Sequence, residues 1–105
     1  MPEMTIAVSD KIVQHLNNLS LGNTLNDNLK MLLIAEYRRR LAHYHLIDRQ
    51  LTQKYQKDFD EFEKQQITKQ QGYTWEVESD AMAWETAVDG MRTLQRQLAE
   101  IEGLL

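Results

Sequence analysis

The chain has 105 residues, of which 42% are hydrophobic and 27% are charged, and its formal net charge is −4. This size and composition predict one folded domain with a modest core, and the lack of a run of about 18 apolar residues predicts no membrane partner. Because Cys is absent, disulfide bonds, thiol catalysis and Cys-based zinc sites are excluded, and a cytoplasmic location is expected.

A short strand is the first predicted element. Residues 5–9 alternate small polar with β-branched apolar side chains, a pattern typical of a strand. A single strand is not stable without a partner strand, and no other segment has an obvious matching pattern. We therefore expect it to pair with the same strand of a second copy.

Two helices are predicted after the strand. Residues 9–10 are suited to cap the first helix, and the Gly-Asn pair at 22–23 is predicted to end it. The second helix begins at Asn23 or Thr24 and extends to about Tyr55, a length of roughly 45 Å. We expect the strand and these helices to form a homodimer through Ile6, Val8, Ile12, Leu16, Leu29, Leu33, Tyr37 and Leu41.

A short helix and an extended segment are predicted next. Asp58 and Glu61 form a capping-box pair, which indicates a short helix bearing Phe59 and Phe62. Residues 73–77 alternate in polarity and are expected to be extended.

The last predicted helix begins at Ser79 or Asp80, either of which can cap a helix N-terminus. Gly90 lies inside this helix, where Gly is unfavourable, and it suggests a close contact with another helix. The apolar stripe of this helix comprises Trp84, Val88, Met91, Leu94, Leu98 and Ile101.

Charge divides the chain into two parts. Up to Tyr55 there are seven Lys or Arg residues and five Asp or Glu residues, whereas from Gln56 onward there are five and eleven. This asymmetry indicates two different partners or one half folding onto the other, and simple solvation of both halves is the alternative. We therefore predict a dimerisation module, 1–55, and an acidic helical partner-binding region, 56–105.

The segment TIAVSDKIVQHLNNLSLGNTLNDNLKMLLIAEYRRRL resembles a ribbon-helix-helix module, in which a strand pairs with its twofold mate and two helices follow. Such modules often form the front of small type II antitoxins, whose back half wraps and blocks a toxin. The segments KYQKDFDEFEKQQI and GYTWEVESDAMAWE are similar to the tails of presumed microbial antitoxins. The resemblance implies a mainly α fold with a short N-terminal strand and two helices, the second long and continuing into a helical C-terminal half.

The two tryptophans suggest how a partner would be held. Trp75 and Trp84 lie among several carboxylates; Trp is frequent at interaction hot spots, and an acidic rim steers a basic partner. Packing in the core is the alternative for Trp84. The predicted partner is a basic cognate toxin, and the predicted partner-binding residues are Phe59, Phe62, Tyr73, Trp75, Glu76, Glu78, Asp80, Trp84 and Glu85.

Two other functions fit the same pattern. The strand would present Thr5, Ala7 and Ser9 to DNA, which are short and uncharged where such readers usually carry Arg, Lys, Gln or Asn. Asn23 and Thr24, at a helix N-terminus, are candidate phosphate contacts. A DNA-binding autorepressor that uses the strand pair is therefore the second hypothesis, and a structural helical dimer is the third.

The sequence carries no recognisable catalytic or metal-binding pattern. His43 and His45 lie two residues apart, so on a helix they point in different directions. There is neither a Gly-rich phosphate loop nor a Ser-centred nucleophile motif. We predict that the protein is not an enzyme and uses no cofactor or metal.

Overall fold

Five helices account for the regular structure of residues 3–103, the part of the chain that the computed structural model describes. Four of them begin at a side-chain cap: the side chains of Ser9, Thr24, Asp58 and Thr74 each accept from the backbone N–H three residues later. Such caps satisfy N–H groups that the first turn leaves unpaired. The helices are α1 (Asp10–Asn18), α2 (Leu25–Tyr55), α3 (Phe59–Lys64), α4 (Ile67–Gln70) and α5 (Trp75–Glu102).

The predicted N-terminal strand is wrong. Residues 3–8 form neither strand nor helix, and no strand occurs anywhere between residues 3 and 103. The alternating pattern is short and local, and the described chain offers no second strand to pair its backbone groups. The fold is therefore all-helical rather than ribbon-helix-helix, and a DNA reader built on paired strands loses the element that would read DNA.

The helix at the C-terminal end begins earlier than the sequence predicts. Residues 73–77 were expected to be extended, but α5 already starts at Trp75. Gly72 and Tyr73 take left-handed backbone conformations, with φ of 75° and 55°, and so separate α5 from α4. The Thr74 hydroxyl then accepts from the Val77 N–H at 3.3 Å and caps the helix. A short alternation cannot compete with 28 helical residues that pack along one side.

The described residues form two compact units, 3–36 and 37–103, and the division between them falls inside α2. In the first unit, Asn28 is buried and accepts from the Gly22 N–H at 2.8 Å through Oδ1. A Cβ on Gly22 would lie 2.5 Å from that of Asp27, so this close approach requires glycine. The left-handed residue after α1 is Ser20, with φ of 52°.

The second unit pairs α5 antiparallel with the second half of α2. Asp48 contacts Trp84, and Lys54 contacts Asp80. A Cβ on Gly90 would overlap the ring of Tyr44, so Gly90 does mark a close helix contact. No helix of the described chain is both long enough and apolar enough to span a bilayer. The main buried cluster of this unit comprises Leu51, Phe62, Ile67, Val77 and Trp84, and Ala87, Leu94 and Leu98 of α5 are also buried.

Candidate functional site

Trp84 lies at the centre of the second unit's core. The ring centroids of Tyr55, Phe59 and Phe62 lie 6.0, 5.5 and 5.0 Å from the ring centroid of Trp84. Its indole N–H donates to Asp48 Oδ1 at 2.8 Å, which satisfies a polar group that would otherwise be buried without a partner. Trp84 and Phe62 are 0% and 2% exposed, so these two predicted partner contacts are covered by the chain itself and offer no surface.

Two more of the predicted partner contacts, Glu76 and Asp80, belong to a network of ion pairs and hydrogen bonds around Lys54. Lys54 Nζ lies 2.6 Å from Glu76 Oε1 and 2.6 Å from Asp80 Oδ2. The Tyr55 hydroxyl donates to the same Asp80 oxygen at 2.6 Å. Glu76 and Asp80 therefore hold α5 to α2, and their charge is already balanced in part by a cation of the same chain.

The pKa values in this network follow from its hydrogen bonds and burial. Burial acts to raise the pKa of Asp80, but hydrogen bonds from Lys54 and Tyr55 outweigh it and lower that pKa below its ordinary value. Burial, followed by the hydrogen bond to Asp80, raises the pKa of Tyr55 to about 12. The hydrogen bonds to Asp80 and Glu76 raise the pKa of Lys54. At neutral pH Asp80 is thus held as a carboxylate, Lys54 as an ammonium and Tyr55 as a neutral phenol.

The outward side of α5 combines exposed apolar groups with carboxylates. Trp75 is 80% exposed and Met82 is 68% exposed. At 3.6 residues per turn, Trp75, Met82 and three carboxylates fall within an arc of about 80° around the helix axis. We call this set the Trp75 face; it consists of Trp75, Glu78, Met82, Glu85 and Asp89.

The carboxylates of the Trp75 face are not neutralised by the chain. Residues 70–91 contain five Asp or Glu residues and no Lys or Arg. Lys54 reaches Glu76 and Asp80 alone, and in the described part of the chain Glu78, Glu85 and Asp89 make no ion pair. The face therefore carries three negative charges that make no ion pair among the described residues, on the same side of α5 as the exposed Trp75.

The predicted partner-binding residues omit two members of this face, Met82 and Asp89. Met82 follows Trp75 by seven residues, which places both side chains on the same side of a helix. The signal was hidden because residues 73–77 were predicted to be extended, so that Trp75 lay outside the helix. Tyr73, a predicted contact, is 58% exposed and lies just before α5, whereas Phe59 packs against the core.

The residues predicted for dimerisation and for DNA lie in several environments. Leu16 is buried, while Tyr37 and Leu41 are half-buried. Asn23 is exposed, and the Thr24 hydroxyl accepts from the Asp27 N–H at 3.1 Å, so it serves as the cap of α2. The predicted dimer residues with exposed side chains are Ile6, Val8, Ile12, Leu29 and Leu33.

Comparison with known proteins adds no assignment. The chain matches no protein-family model, no curated protein and no solved structure.

Proposed function

We propose that this protein binds a basic partner protein through the Trp75 face and that the partner is a toxin, which this binding neutralises. The observation that carries the proposal is the contrast between two tryptophans on one helix. Trp84 is fully buried with its N–H satisfied, whereas Trp75 is 80% exposed, with Glu78 about one turn further along the helix and Glu85 and Asp89 on the same side of it. An exposed Trp on a helix side that also carries unpaired carboxylates has the composition of a binding anchor.

Two physical effects support a basic partner. Burial of Trp75 and Met82 under a partner removes two large apolar side chains from water, which favours association. The three carboxylates attract positive charge and speed the encounter, and this contribution weakens as salt rises. A partner with Lys and Arg around an apolar pocket matches both effects.

Neutralisation follows from the same contact by steric cover. A toxin that acts on nucleic acid or another anion needs exposed positive charge. Carboxylates docked on that charge would compete with the anionic substrate, so no catalytic group of this chain is required. We assign this action to the cytoplasm, where a chain without Cys loses nothing to reducing conditions.

The proposal is tested by growth and co-purification. The protein is expressed together with the product of its neighbouring reading frame, as wild type, as Trp75→Ala and as Leu46→Ala. Leu46 is a matched control because it is also apolar and is 45% exposed on α2. We expect a basic neighbour that is toxic alone, rescue by the wild type and the control, and loss of rescue with Trp75→Ala. A harmless neighbour, or equal rescue by all three proteins, would contradict the proposal.

A further inference from the structure

We infer that two copies of this chain associate through the apolar surface of the first unit. This surface is distinct from the Trp75 face, and its pairing does not depend on the proposed partner. We call it the first-unit surface; it is formed by Met4, Ile6, Val8, Ile12, Leu19, Leu21, Leu29 and Leu33.

Exposed apolar side chains are concentrated in this unit. Among the described residues, twelve large hydrophobic side chains are exposed, and eight of them lie between residues 4 and 33. Scattered exposed apolar groups are normal on a folded protein, but a concentrated set marks an interaction site. The first unit therefore carries an interface that the single chain leaves open.

The two helices of the unit order this surface into rows. Ile12 and Leu19 are seven residues apart and lie on the same side of α1. Leu29 and Leu33 are four residues apart and lie on the same side of α2. Rows of this kind pack against a second helix pair in the way that helix bundles do.

The first unit has few buried apolar side chains to offset the free-energy cost of this exposed apolar surface. Its buried apolar side chains are Leu16 and Ile34 alone among residues 3–36. Units below about 40 residues are usually stabilised by disulfide bonds, metals or oligomerisation. The sequence has no Cys, and the described residues contain no group of side chains able to hold a metal ion. Apart from the continuation of α2 into the second unit, association is the source of stability that remains.

Area and charge favour a second copy as the occupant. At 36–88% exposure, the eight side chains together present on the order of 800 Å², the area that one partner contributes to a standard interface. Between residues 4 and 35, which include all eight side chains, the charged residues are Asp10, Lys11, Asp27 and Lys30, which sum to zero; Glu3 and Glu36 lie at the two ends of the unit. The surface thus offers nothing to a strongly charged partner, and no net charge opposes a twofold pairing of identical copies.

Oligomeric mass tests this inference. The protein is studied at about 100 µM, which is above the micromolar dissociation constants of weak interfaces of standard size. We expect the wild type to be a dimer at this concentration. Light scattering after size exclusion should then give twice the 12.4 kDa mass of one chain. Leu29→Gln/Leu33→Gln is expected to lower the mass to that of one chain, with helix content kept because Gln and Leu have similar helix propensity. Leu46→Gln, on the same helix in the second unit, is the matched control and is expected to remain a dimer.

A second measurement covers the case in which the double variant loses helix content. The urea midpoint of the wild type is measured over a hundredfold range of protein concentration. A dimer predicts that the midpoint rises with concentration, because association draws the chain towards the folded state. A wild type that is monomeric with a constant midpoint, a double variant that is still dimeric, or a control that is monomeric would each overturn the inference.

Discussion

Trp84 and Asp48 illustrate a polar pair that the core requires. In the sequence, Asp48 stands where the apolar stripe of α2, which includes Tyr44, Leu51 and Tyr55, would place another apolar residue. In the structure its carboxylate accepts the indole N–H of Trp84 at 2.8 Å. A fully buried Trp needs an acceptor for that proton, so the interruption on one helix matches the aromatic on the other.

We predict that Asp48→Ala destabilises the protein by about 1–3 kcal/mol, because the buried indole N–H then has no acceptor. Asp48→Asn should lose less, since its amide oxygen still accepts. Asp89→Ala is the control, as Asp89 is exposed and unpaired in the described chain. Urea unfolding measures the free energy of unfolding of the three variants. Equal losses in Asp48→Ala and Asp89→Ala would show that the hydrogen bond between Trp84 and Asp48 does not stabilise the protein.

A second prediction concerns pH and Asp80. Because the folded state lowers its pKa below the ordinary 3.8, ionised Asp80 stabilises the fold above that pH, and this contribution is lost as pH falls through the folded-state pKa. Asp80→Asn should lower the melting temperature at pH 7 by about 4–8 °C, which is the shift that each kcal/mol of lost stability causes in a domain of this size. The difference from wild type should shrink as the pH is lowered towards 2.

The control for this prediction is Glu85→Gln, which removes an exposed carboxylate without an ion pair in the described residues. Its melting temperature should follow that of the wild type at every pH. If Asp80→Asn and wild type keep the same difference from pH 7 to pH 2, the Lys54 network is not the source of the stabilisation.

The elements were predictable where local chemistry determines them. Ser9 and Asp58 were expected to cap helices, and both accept from the backbone N–H three residues later. A long second helix that extends to about Tyr55 was also expected, and α2 ends at Tyr55. The strand at residues 5–9 and the extended segment at 73–77 were not correct, because a short alternation becomes a strand only if a second strand pairs with it, and pairing is not a local property.

The pairing of α2 with α5 leads to a prediction at Gly90. Gly90→Ala improves helix propensity by about 1 kcal/mol, but its methyl group would overlap the Tyr44 ring, at a cost of about 1–3 kcal/mol. We expect net destabilisation in the wild type. In a Tyr44→Ala background the same change should stabilise the protein, because the overlap is gone.

This double-mutant cycle is measured by urea unfolding, and the coupling energy is its readout. Thr86→Ala, an exposed change on α5, is the control for helix propensity alone. If Gly90→Ala stabilises the wild type and the Tyr44→Ala variant equally, the helices can move apart at no energetic cost. The contact between Gly90 and Tyr44 would then not determine their spacing.

Across the whole molecule, the acidic stretch of α5 has two roles that sequence alone did not separate. Glu76 and Asp80 are bound by Lys54, which is 22 and 26 residues away in the chain. Glu78, Glu85 and Asp89 lie on the outward side with Trp75. Only the pairing of α5 with α2 decides which carboxylates are paired, so the predicted site included structural residues and omitted Met82 and Asp89.

The most direct test of the central claim is the affinity of the basic partner for Trp75→Ala, measured by calorimetry at low and high salt with Leu46→Ala as control. We predict a loss of at least about 2 kcal/mol, as expected for a hot-spot Trp, with unchanged helix content, and weaker wild-type binding as salt rises. Binding by Trp75→Ala that equals that of wild type and control would contradict the claim that the Trp75 face holds the partner.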